Sequence, residues 1–104
     1  MPRSAKATRS YLIEAFYFDP NAPVFRGAKI TRHAYRVDLR NKPSDADAEV
    51  MRQELNRSFQ PGASNACMTE RLGFQPHIST LSVRTANTGV HVATAKAPTF
   101  EVTG

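Results

Sequence analysis

Polar and apolar positions alternate strictly through the centre of Arg26 to Lys42 (RGAKITRHAYRVDLRNK). Thr31, His33, Tyr35, Val37 and Leu39 fall on one side, and Arg32, Ala34, Arg36, Asp38 and Arg40 on the other. Period two predicts a strand from Lys29 to Arg40 with one buried and one wet face. Six of the chain's 14 lysines and arginines lie in this stretch (Arg26, Lys29, Arg32, Arg36, Arg40 and Lys42), against one acid, Asp38. The wet face is therefore cationic. A slip of one residue would exchange the two faces, so the assignment depends on register.

Tyr11 to Phe18 (YLIEAFYF) is apolar on both sides and rich in aromatics, and the turn residues Asp19-Pro20 and Asn21-Ala22-Pro23 close it. A run this short, so bounded, predicts a central strand. Tyr11, Ile13, Ala15 and Tyr17 share one face; Leu12, Phe16 and Phe18 share the other with Glu14. An unpaired carboxylate among apolar neighbours is costly, so Glu14 calls for a basic partner, naturally an arginine of the next strand. Asp19 to Gly27 connects the two strands as an antiparallel pair, with Val24 and Phe25 expected to tuck back onto the core.

The period then changes. Asn41-Lys42-Pro43 breaks the strand, Ser44 is a helix N-cap, and Asp47 stands where a capping box places its acid. Ala48, Met51, Leu55 and Phe59, with Val50 beside them, form a stripe at helical spacing, and Pro61-Gly62 ends it. Arg52, Gln53 and Arg57 are expected to face water. Ala66 to Leu72 predicts one or two further helical turns stopped by Gly73, with Met68 and Leu72 inward and Cys67 near Arg71. His77 to Ala86 reads as a strand with Ser79, Leu81, Val83 and Thr85 on one face and Ile78, Thr80, Ser82 and Arg84 on the other. Asn87-Thr88-Gly89 is a hairpin turn, Val90 to Lys96 the returning strand, and Thr99 to Val102 a short edge strand beyond Pro98.

The order β-β-α-α-β-β predicts a small α+β domain: a mostly antiparallel sheet of four or five strands, one main helix and a short second helix on one face. The opposite face is left open to solvent. Residues 1–10 (MPRSAKATRS) carry Arg3, Lys6 and Arg9 and no acid, and read as a basic flexible arm; residues 11–104 form the domain.

Composition narrows the function classes. The 104 residues carry a formal charge of +5, which favours an anionic partner. A single cysteine, Cys67, leaves no intramolecular disulfide framework. Glu14 interrupts the first apolar run and no small-residue cleavage site follows it, so it does not read as a secretion signal; no stretch is long enough to span a membrane, and a cytoplasmic location is expected. His33, His77 and His91 lack metal-ligand spacing to one another or to Cys67, and the glycines are dispersed at turns instead of forming a phosphate loop, so no cofactor or metal is expected. The sequence thus points to a small basic binding protein without catalytic activity. Arg26, Lys29, Arg32, Arg36, Arg40 and Lys42 would contact nucleic acid or an acidic protein surface, with homodimer formation through the open sheet face or edge as a further route. Two other readings stay open. One is an inhibitor or accessory factor, of virus or plasmid type, that docks on a nucleic-acid-handling protein. The other is a small enzyme with a site near Cys67, Arg71 and His77.

Overall fold

The computed structural model of the chain describes residues 8–24 and 29–97. Within them the elements are β1 (Arg9–Phe18), β2 (Ile30–Leu39), α1 (Asp45–Ser58), α2 (Ala66–Leu72), β3 (Ile78–Thr85) and β4 (His91–Lys96). The expected α+β order therefore holds. The strands form one antiparallel sheet in the spatial order β2-β1-β3-β4, so the most apolar strand is central and the arginine-rich strand lies at an edge. β1 starts at Arg9, two residues before the expected Tyr11. Phe25, Arg26, the first seven residues and the proposed edge strand Thr99 to Val102 lie outside the described residues.

The helices cover one face of the sheet. Tyr11, Ile13, Ala15 and Tyr17 of β1 meet Ile78, Leu81 and Val83 of β3 and Ala93 and Ala95 of β4, and Ala48, Leu55 and Phe59 close the core from the helix side. Ile78 was expected on the outer face with Thr80. It turns inward because the β1–β3 register skips a residue: Phe16 pairs with Thr80 and Tyr17 with Ile78. Ser79 is the extra residue, and such a bulge reverses the facing of the residue on its other side, here Ile78. Val24 is 65% exposed, so it does not tuck onto the core as its apolar side chain suggested.

Helix α1 begins as its sequence demands. The Ser44 hydroxyl accepts the Asp47 backbone N–H, and the Asp47 carboxylate accepts the Ser44 N–H, which completes a capping box. Gly73 ends α2 in the left-handed conformation, at φ 83°, a geometry that costs a side-chain-bearing residue far more than glycine. Arg52 corrects the expectation of a solvated face, because it is only 6% exposed. Its guanidinium donates to both Glu49 carboxylate oxygens, at 2.9 and 2.7 Å, and to the Ile78 carbonyl at 3.0 Å. These bonds, with a further one from Gln53, hold the Glu49 carboxyl down at about 2. Asn56 works beside it, donating to the Ile78 carbonyl and accepting the Ile78 N–H. Arg52 and Asn56 together satisfy the backbone at the start of β3, where pairing with β4 has not yet begun.

Candidate nucleic-acid interface

The sheet face turned away from the helices carries most of the chain's unusual chemistry. Alternation along β2 places Arg32, Ala34, Arg36 and Asp38 on this face, all exposed, and His33, Tyr35, Val37 and Leu39 on the helix side, all half-buried. The expected register is thus the observed one. β1 contributes Leu12, Glu14, Phe16 and Phe18; β3 contributes Thr80, Ser82 and Arg84; β4 contributes Thr94 and Lys96.

Strand pairing arranges these side chains in rows across the sheet. In one row Leu12 lies between Arg36 of β2 and Arg84 of β3. In another Phe16 lies between Arg32 and Thr80, with Lys96 beyond Thr80. Phe18, 59% exposed, stands beside Ile30, 41% exposed, at the end of the face. An apolar floor is therefore bracketed by cations on both flanks. Arg36 and Arg84 sit two strand spacings apart, ~10 Å, and Arg32 and Arg36 are ~13 Å apart along their strand.

Glu14 organises the middle. Its carboxylate is nearly buried and accepts from Arg32 at 2.7 Å and from Arg84 at 3.1 Å. The cross-strand arginine that Glu14 required is present, and a second one reaches it from the opposite neighbour. This pairing distinguishes the cations: Arg32 and Arg84 are positioned by a carboxylate, whereas Arg36 and Lys96 are exposed and form no ion pair among the described residues. Asp38, the other acid on the face, accepts the Ser10 hydroxyl at 2.6 Å.

The remaining expected contacts do not form one row with Arg32 and Arg36. Lys29 precedes β2 and donates to the Pro20 carbonyl at 3.1 Å, which ties it to the β1–β2 connection. Arg40 follows the end of β2 and lines a cleft beside α1 with Leu39, Pro43, Asp47 and Val50. Lys42 is exposed in the turn before α1, and Arg26 lies outside the described residues. Sequence reasoning overlooked Arg84 and Lys96 as partners of the β2 arginines. Their outward parity was readable, but their proximity follows from β1–β3 and β3–β4 pairing, which joins residues as far as 70 positions apart.

Cys67 is exposed on α2. Among the described residues no cluster of His, Cys, Asp and Glu is placed to hold a metal ion, and no helix is long and apolar enough to cross a membrane. No known protein family, curated protein or solved structure matches the chain.

Proposed function

We propose that the chain is a non-catalytic protein that binds single-stranded nucleic acid on its open sheet face. The observation that carries this reading is the floor of Leu12 and Phe16 bracketed by Arg36, Arg84, Arg32 and Lys96. Cations on the flanks suit a phosphate backbone, and the exposed ring of Phe18, with Phe16 behind it, offers bases a surface to stack on. Each stacked base contributes about 1–3 kcal/mol, and every base has a π-face, so such binding tolerates many sequences. A duplex suits the face less well. Its bases are stacked on one another, and a sheet face reaches only the phosphates of one flank. Lys29, Arg40 and Lys42 would act at the periphery, adding long-range attraction.

Anisotropy of a fluorescent twelve-nucleotide oligothymidylate tests the proposal. Binding is expected at ~50 mM salt and should weaken as salt rises, with a log–log slope of roughly −2 to −3 for three or four phosphate contacts at ~0.7 each. A duplex of equal length should compete poorly. Absence of oligonucleotide binding at ~50 mM salt would sink the reading.

A further inference from the structure

β2 also presents an edge, whose backbone groups are distinct from the open face although the two surfaces share Arg32 and Arg36; the inference drawn from it does not rest on the open-face reading. The Asp19 N–H donates to the Lys29 carbonyl, in line with the register that pairs Phe18 with Ile30. In an antiparallel ladder hydrogen-bonded and non-hydrogen-bonded pairs alternate. The odd-numbered residues of β2 therefore bond β1, and the N–H and C=O groups of Ile30, Arg32, Ala34, Arg36 and Asp38 point to the open side. Among the described residues no strand pairs there.

That open edge runs beside a cleft. The helices sit over β3 and β4 more than over β2, so the inner face of β2 is only half covered. His33 and Tyr35 line a hollow of about 430 Å³ with Met51, Glu54 and Leu55. A neighbouring hollow of about 340 Å³ shares Met51 and Glu54 and adds Leu39, Pro43 and Val50, which is 52% exposed. Burial and the nearby Glu54 carboxylate push the Tyr35 hydroxyl above its usual pKa.

We infer that the β2 edge accepts an extended segment of a partner protein in which acidic and apolar residues alternate, added as a fifth strand beside the α1 cleft. The edge supplies main-chain hydrogen bonds, and alternate side chains supply specificity. Opposite Arg36, Tyr35, Ala34, His33 and Arg32 the matching order is acid, apolar, small, apolar, acid. The acids meet the two arginines on the outer face, and the apolar side chains lean over the mouth of the cleft. A second copy of this chain is a poorer match. Each β2 would bring Arg32 and Arg36 against the single Asp38, and each chain a net charge of +5.

The probe is the capped heptapeptide Ser-Glu-Val-Thr-Val-Glu-Ser, with Ser-Lys-Val-Thr-Val-Lys-Ser as its charge-reversed control, titrated against the isotope-labelled full chain and followed by amide shifts. The acidic peptide is expected to move the amides of Arg32, Ala34 and Arg36 and to bind about tenfold more tightly than the control. Ala34→Pro removes one edge-facing N–H without touching the β1 ladder, and should abolish the interaction. Should that variant fail to fold, Arg36→Glu serves instead and should erase the preference for the acidic peptide. Lys96→Glu, on the far strand, should leave peptide binding intact while weakening oligonucleotide binding, which separates the two surfaces. Equal binding of the two peptides, absence of binding at millimolar concentration, or binding that survives Ala34→Pro would overturn the inference. So would self-association that Ala34→Pro removes, since that outcome assigns the edge to a second copy.

Discussion

Truncating Phe59 to alanine should lower the unfolding free energy by about 3–5 kcal/mol, the range for a buried phenylalanine that leaves a cavity behind. Phe59 caps the C-terminus of α1, is fully buried and is among the largest enclosed side chains. Its carbonyl accepts the Thr69 hydroxyl of α2 at 2.7 Å, so the residue also ties the second helix to the first. A domain of this size has roughly 5–15 kcal/mol in total, so the loss removes a large share of it. Urea unfolding followed by circular dichroism reads this as a lower midpoint with little change in slope. Val50→Ala is the contrast. Val50 belongs to the same helix but is half exposed, and the substitution should cost no more than about 0.5 kcal/mol. A Phe59→Ala variant as stable as Val50→Ala would mean that the helices do not close the core as described.

The second large effect is electrostatic. Arg36→Glu combined with Lys96→Glu should reduce oligonucleotide affinity on the order of a hundredfold at low salt and make the salt slope shallower by about 1.4, ~0.7 for each lost phosphate contact. These two cations suit the experiment because both are exposed, they lie on opposite flanks of the apolar floor, and neither is ion-paired among the described residues. Arg32 is a poorer choice although it lies on the same face of the same strand as Arg36. Reversing it would set a second carboxylate against the nearly buried Glu14, which the Arg32 guanidinium now contacts at 2.7 Å. Taking the partner from a nearly buried carboxylate destabilises the fold, so lost binding would not report on the interface. Anisotropy and a thermal melt of the Arg36/Lys96 double variant check both halves: weakened binding with an unchanged melting temperature. Unchanged affinity would remove the open face as the electrostatic contact surface.

Much of the fold was legible because local rules and tertiary packing agree. The capping box at Ser44 and Asp47, the glycine stop at Gly73 and the alternation of β2 each rest on interactions within a few residues. The misreadings arose where distant parts of the chain decide. Arg52 was assigned to water by its charge, although it shares helical spacing with Ala48, Leu55 and Phe59; the Ile78 carbonyl it satisfies belongs to a strand 26 residues on. Ile78 was placed outward because the skip in register at Phe16/Tyr17 leaves no mark on simple alternation. The candidate interface was half legible for the same reason. The β2 arginines form a local pattern, whereas Arg84 and Lys96 join them only through the sheet order β2-β1-β3-β4. The pairing of Glu14 with an arginine of β2 was foreseeable from the cost of an unpaired carboxylate; its second arginine, on β3, was not.

The most direct measurement on the interface is an amide chemical-shift footprint of the isotope-labelled chain with oligothymidylate. The largest shifts should fall on Leu12, Phe16, Phe18, Arg36, Arg84 and Lys96, with α1 and α2 nearly still. A footprint concentrated on the helices, or shifts spread evenly over the surface, would contradict the assignment of binding to the open face of the sheet.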